Sequence, residues 1–335
     1  MKHAKFFALT SFVLLLGYGA VGFYFLPLAG FQGDLTRLAL LPESQYGQRQ
    51  NQPVIEAKLF SQAAMADADV LVIGDSFSEK HVWQTELVRQ GLSVRTGGWG
   101  LQDVCSDFLP LLRGQGFHGS VVVVEIIERN LHETLKNVHD CIQIGTRANT
   151  ISDDPRYPPP SNFNPDMVSW SGKLSLGVKT AFNARKYRQI IDAPNFLSVK
   201  LNNDTTLSHV KNGCELFSHR NCSASLFLSL DKAEDLAEED LKNMLEVNKR
   251  LAGVMVIWAV VPNKSTSYFY SEKQFWNKAE LRLHAPNLLR VNQQAINSRV
   301  VDLYPANNTH LSTSGYLLMG QAIYAAMQTS LLLPK

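Results

Sequence analysis

Blocks of one charge are missing from this sequence. Its 32 Lys and Arg residues stand against 30 Asp and Glu, leaving a net charge of +2 and no dense basic segment. A nucleic-acid binder is thereby excluded, because it needs a concentrated positive footprint. Cysteine is scarce as well: Cys105, Cys141, Cys214 and Cys222, with no Cys-x-x-Cys pair. That spacing matches no zinc finger, and His219 is the only histidine between the close pair, so no metal site is expected. No cofactor is expected either. Four cysteines allow three pairings. Local spacing favours Cys214 with Cys222, closing a polar loop, and so Cys105 with Cys141; the alternative is four unrelated buried thiols.

Long apolar runs are absent with one exception. Residues 6–30 carry no charge and are rich in Phe, Leu, Val and Gly, which is long enough to span a bilayer. A cleavable signal peptide competes, since Gly17-Tyr18-Gly19 and Ala20-Val21-Gly22 have the small-x-small form of a cleavage site. Both lie inside the run, where a mature polar terminus is not expected, so the reading is an uncleaved signal-anchor. Lys2 and Lys5 precede the span and no basic cluster follows immediately. The positive-inside bias then leaves residues 1–30 as a cytoplasmic N-terminus plus single inner-membrane span, with the rest exported to the periplasm. Residues 31–66, with Pro42, Gln48, Gln50, Gln52 and Pro53, read as a polar stalk or connector. The folded domain is expected over 67–335.

The 335 residues, 45% hydrophobic and 19% charged, suffice for one large domain or two small ones. Short β-branched runs at 70–73, 92–95, 121–127, 254–261 and 299–303 predict five strands. Helical spacing is expected over 77–91, 103–114, 236–251, 275–292 and 314–332. Strands alternating with helices imply an α/β, doubly wound parallel sheet. Residues 146–230 break the pattern; Asp153-Asp154-Pro155 and Pro158-Pro159-Pro160 mark a loop, and 174–191 a basic amphipathic helix. This stretch is too long for a simple crossover and reads as an insertion.

Chemistry is expected at two places. The first strand ends on Gly74-Asp75-Ser76, which puts Ser76 at a C-terminal strand edge, where open α/β sheets bind ligands. Ser76 is either a nucleophile near a helix N-terminus, where N–H groups favour an oxyanion, or a cap for that helix. His310, in the loop between the last strand and the closing helix, comes from the same sheet edge. It either pairs with Ser76 as a base or only packs against that helix. The glycines of Thr96-Gly97-Gly98-Trp99-Gly100 serve a turn or let a backbone N–H approach a substrate oxygen. Arg129 and Asn130 end another strand; their bland readings are a surface salt bridge and a helix cap. Trp83, Trp99, Trp170, Trp258 and Trp276 are core residues or platforms for sugar rings.

Together these stretches make the chain resemble the SGNH (GDSL-type) hydrolases. The likeness is closest to the branch of alginate and related exopolysaccharide O-acetylation proteins. The motifs are Gly74-Asp75-Ser76-Phe77, Glu125-Ile126-Ile127-Glu128-Arg129, Pro262-Asn263-Lys264-Ser265-Thr266-Ser267-Tyr268 and Asn308-Thr309-His310-Leu311. The resemblance runs from 67 to 332, the insertion contributing little. It implies a three-layer α/β/α flavodoxin-like sheet of about five strands. It also implies Ser76 as acyl-carrying nucleophile, His310 as general base, and Gly98, Arg129 and Asn130 as oxyanion partners alongside the Ser76 N–H. Lys264 and Tyr268 are carried over only as family markers.

One departure matters: where the family has its triad aspartate, this chain has Asn308 or Asn307. An asparagine can orient an imidazole but cannot neutralise the imidazolium; the Asp-to-Asn change in a serine protease, a worked example in general enzymology, costs about 10⁴ in turnover. Three arrangements stay open: a Ser-His-Asn triad, a Ser-His dyad helped by Asp302 or Glu125, or a degenerate site that binds glycan only. The expected function is a membrane-anchored acyl-ester transferase or esterase O-acetylating an exported polysaccharide, the acyl group supplied by a membrane-bound acyltransferase partner. The alternative is a non-catalytic glycan-binding or scaffold subunit of an export complex.

Overall fold

Four apolar runs become parallel strands. The computed structural model describes residues 2–25, 32–105, 107–140, 165–166, 174–231 and 233–332. The chain divides into two compact units, one made of Asn51–Asn162, Leu230–Tyr304 and His310–Lys335, the other of Met1–Gln50, Phe163–Ser229 and Pro305–Thr309.

In the larger unit, β1 (Val70–Ile73), β2 (Val94–Thr96) and β3 (Val121–Ile127) are joined by a later strand, Met255–Val261, numbered β7 below after the three strands of the smaller unit. Their order is β2-β1-β3-β7, all parallel, with Val70 opposite Val94 and Val121, and Val121 opposite Met255. Every residue of β1 and β3 is buried, as strands covered on both faces require. Alternation divides them: Leu71, Ile73, Val122, Val124 and Trp258 pack with helices Phe108–Gly114, Glu128–Asp140, Glu238–Arg250 and Phe275–Leu283. Val70, Val72, Val121, Val123 and Ile257 pack with Gln84–Arg89, Leu288–Asn297 and Thr313–Leu332. Helices thus cover both faces of the sheet.

Four expected elements differ; the helix expected over 103–114 is a 3-10 turn at Leu101–Asp103 and an α-helix only over Phe108–Gly114. The fifth strand at 299–303 does not form: this stretch is turn, with Arg299 and Asp302 at φ of 58° and 55°, a left-handed backbone that cannot extend a strand. The helix expected over 77–91 is turn up to Trp83 and helical only over Gln84–Arg89, with His81 at φ 55°. The helix expected over 275–292 is two, Phe275–Leu283 and Leu288–Asn297, parted at His284 (φ 53°) and Pro286; proline cannot continue the first.

The smaller unit holds an antiparallel sheet, β4 (Ser198–Lys200), β5 (Thr205–His209) and β6 (Ala224–Leu228), in the order β4-β5-β6. Helix Leu174–Ile191 forms with the bounds its sequence suggested. Residues 32–50, part of the expected polar stalk or connector, carry helices Asp34–Ala39 and Glu43–Tyr46. Leu35, Leu41 and Tyr46 are buried with Leu207 and Leu226, so apolar burial overrides the polar average of that stretch. Cys214 and Cys222 form a disulfide. Cys105 is also disulfide-bonded; Cys141, its expected partner, lies outside the described residues. Helix Lys2–Phe25 contains a span, His3–Val21, long and apolar enough to cross a membrane, with none of that span buried.

Candidate active site

The strand order reverses between β1 and β3, since β2 lies on the other side of β1. A crevice at such a switch point, outside the strands' C-terminal ends, is where open α/β sheets bind ligands. The residues that leave β1 there are Gly74, Asp75 and Ser76. A Cβ on Gly74 would lie 2.4 Å from Ser78 Oγ and 2.7 Å from Glu125 Oε2, so only glycine lets this backbone pass so close to the strand beside it.

The turn is held from both sides. The Asp75 carboxylate accepts from the N–H of Phe77 (3.0 Å) and of Ile127 (3.0 Å). Glu125, on β3, accepts through Oε2 from Asp75 N–H (3.1 Å) and Ser78 Oγ–H (2.7 Å). Ser78 N–H donates to Asp75 O (3.0 Å). Among residues 75–78, Ser76 alone leaves its N–H unbonded to protein, the condition for an oxyanion donor. The expectation that a helix N-terminus would assist is corrected: the next helix begins eight residues on, at Gln84, so Ser76 neither caps it nor feels its dipole.

Ser76 Oγ lies 2.8 Å from His310 Nε2. With Nε2 unprotonated, the hydroxyl donates to it, the geometry of a nucleophile facing its base. Ser76 is exposed and His310 half-buried. Phe77, fully buried, stacks at a tilt on the imidazole, ring centroids 4.7 Å apart, with Tyr316 edge-on to it at 6.0 Å. Phe77 therefore limits how the imidazole can turn.

A cavity of about 220 Å³ opens beside the turn, lined by Asp75, Gly98, Trp99, Gln102, Glu125 and Asn130 among others. Of the expected oxyanion partners, Gly98 and Asn130 are brought to it. Arg129 is not: its guanidinium lies 3.7 Å from Asp231 and donates to Asn263 Oδ1 at 3.4 Å. Its charge faces Asp231. Its neighbour Glu128 accepts from Asn263 N–H (2.8 Å) and pairs with the buried Lys273. The Glu-Arg and Pro-Asn-Lys motifs thus meet because β3 pairs with β7. Lys264 is buried, and burial, with the Asp302 charge a smaller cause, pushes the Tyr268 hydroxyl well above its ordinary range.

The candidates for orienting His310 part ways. The Glu125 carboxyl bonds Asp75 and Ser78 rather than the imidazole. Asn307 Nδ2 donates to Glu43 Oε2 at 2.7 Å. Asn308 is half-buried, its N–H on Pro305 O (3.1 Å). Asp302 is fully buried next to Tyr268. Sequence reasoning missed Asp34, which accepts from Thr309 N–H (2.9 Å) and its hydroxyl, and Glu43, which accepts from Gln32 N–H (2.9 Å), Gly33 N–H (3.0 Å) and Thr36. No local pattern in 31–66 signals either role.

Trp83, Trp99, Trp258 and Trp276 are buried, so they are core and not sugar platforms, although Trp99 reaches the cavity wall; Trp170 lies outside the described residues. Among the described residues no cluster of His, Cys, Asp and Glu could hold a metal. No family model, curated protein or solved structure matches this chain.

Proposed function

We propose that this chain is a membrane-anchored, SGNH-type acyl-ester transferase or esterase that acts on an exported polysaccharide. The observation that carries the reading is the 2.8 Å contact between Ser76 Oγ and His310 Nε2. Two residues 234 positions apart meet at the C-terminal edge of a parallel sheet. The strand order agrees with the first four strands of a flavodoxin-like sheet.

In this scheme Ser76 Oγ attacks the acyl carbonyl as its proton passes to His310 Nε2. The oxyanion is met by the free Ser76 N–H, with Gly98 and Asn130 at the cavity. Collapse breaks the ester bond, and His310 returns the proton to the departing oxygen, leaving acyl-Ser76. An acceptor hydroxyl, from a sugar or water, then gives its proton to His310 and takes the acyl group, and His310 passes that proton to Ser76 Oγ as the acyl–Ser76 bond breaks. The apolar helix and the disulfide support an inner-membrane anchor with the N-terminus in the cytoplasm and the chain after the span in the periplasm, an oxidising compartment. A membrane-bound acyltransferase then supplies the acyl group.

The test is labelling by a membrane-impermeant fluorophosphonate in intact spheroplasts, followed by acetyl-ester turnover of the solubilised protein. Ser76→Ala abolishes both, and His310→Ala lowers turnover about 10²–10⁴-fold. Wild-type protein no more active than Ser76→Ala, in hydrolysis or in transfer to an oligosaccharide, leaves the second reading, a glycan-binding scaffold. The asparagines where a triad acid is expected favour that one. If Asp302 supports His310, Asp302→Asn is severe and Asn308→Ala nearly silent; a Ser-His-Asn triad reverses the two.

A further inference from the structure

Behind the nucleophile lies a buried acid to which the reaction above assigns no step. Glu125 is 1% exposed on a strand otherwise made of Val and Ile. Burial disfavours an ionised carboxyl there. Among the described residues no cation is seen to offset it: the charge acting on Glu125 is that of Asp75, whose side chain also hydrogen-bonds with it. Its bonding is lopsided. Oε2 takes both donors, Asp75 N–H at 3.1 Å and Ser78 Oγ–H at 2.7 Å, while Oε1 is buried with no partner. Ser78 Oγ, having given its single proton to Glu125, accepts from Trp83 Nε1 at 3.1 Å. Two donors on one oxygen and none on the other is the pattern of a neutral acid, whose carbonyl oxygen accepts while the second oxygen carries the proton.

We propose that Glu125 is a positioning residue for Ser76 that works as a neutral carboxylic acid. Its Oε2 ties down the residue before the nucleophile and the residue two after it, and Glu125 lines the cavity beside the turn. The inference rests on Ser76 being the nucleophile. Burial first, then the Asp75 charge, raise the Glu125 carboxyl well above the ordinary range, against the lowering by Ser78. The native state therefore keeps a proton that the unfolded chain releases. The contribution to stability is complete below the ordinary carboxyl range and is lost as pH rises through the raised value. Ionisation places a second negative charge beside Asp75 and slackens the turn, so Ser76 reactivity falls on the alkaline side.

Glutamine separates this from a role for the charge. Its carbonyl oxygen can take both donors and its amide stands where the O–H stood. Glu125→Gln is expected to keep fluorophosphonate labelling of Ser76 within about fivefold of wild type at neutral pH, the scale of one perturbed hydrogen bond. It should also remove the alkaline limb that Glu125 imposes. Glu125→Leu leaves both donors unpaired and is expected to lose about 10²-fold, its folding checked by circular dichroism. Infrared difference spectra read the proton without any activity: wild type shows a carboxylic-acid carbonyl band at neutral pH that Glu125→Gln lacks. Absence of that band overturns the proposal, as does a Glu125→Gln protein as poorly labelled as Glu125→Leu. Failure of the nucleophile itself shows differently, as wild-type protein unlabelled at every pH, and it removes the positioning role whatever the band does.

Discussion

Two buried glutamates, one in each unit, hold loops in place in opposite ways. Glu125 accepts both of its hydrogen bonds on one oxygen. Glu43, also 1% exposed, accepts on both: Gln32, Gly33 and Thr36 on Oε1, Asn307 on Oε2. Burial raises both carboxyls, yet only Glu125 also faces a carboxylate, whereas Glu43 is surrounded by donors that pull its value back down. The lesson is that burial alone does not tell what a carboxyl does. The distribution of donors over its two oxygens does.

The comparison breaks hardest at Gly74. Gly74→Ala pushes a methyl against Ser78 Oγ and Glu125 Oε2, which forces the turn apart. Ser76 labelling is expected to vanish, with a stability loss of about 1–3 kcal/mol in urea titration. A labelled Gly74→Ala protein would mean that the Glu125–Ser78 pair does not shape the nucleophile turn.

Glu43→Gln sharpens the contrast. An amide cannot accept on its nitrogen, so Asn307 Nδ2 then faces another donor, and the smaller unit should lose about 1–3 kcal/mol, read as faster proteolysis between residues 32 and 50. Equal tolerance of Glu43→Gln and Glu125→Gln would erase the distinction. The smallest effect is expected at Ser78→Ala, which removes one of two donors from Glu125 Oε2 and the acceptor of Trp83. A loss of about 1 kcal/mol follows, with labelling reduced but present. Full labelling with a shifted alkaline limb would place the Ser78 contribution on the Glu125 proton instead.

Much of the larger unit was legible beforehand. Strands β1, β3 and β7 are runs of Val, Ile and other apolar residues, broken only at Glu125, a pattern that parallel pairing with both faces covered imposes on the chain itself. The pairing of Ser76 with His310 was also expected. Ser76 follows β1, but the strand expected ahead of His310 does not form, and His310 is delivered instead by the loop before helix Thr313–Leu332. Arg299 to Leu303 misled, because Val300-Val301 reads as a strand while the left-handed backbone at Arg299 and Asp302 is set by what surrounds them.

The sequence by itself determined the apolar helix Lys2–Phe25, the strands of the parallel sheet and the close cysteine pair. Each rests on neighbours within a few residues or on the period of an element. Only the tertiary structure decided that Glu125 stands behind Ser76, that Arg129 is taken by Asp231 and Asn263, and that Asp34 and Glu43 hold residues 307–309. A carboxyl or guanidinium reads the same in sequence whether it faces water, a substrate or a backbone N–H. Its role is set by which groups the folded chain brings within about 3 Å of it, the reach of a hydrogen bond.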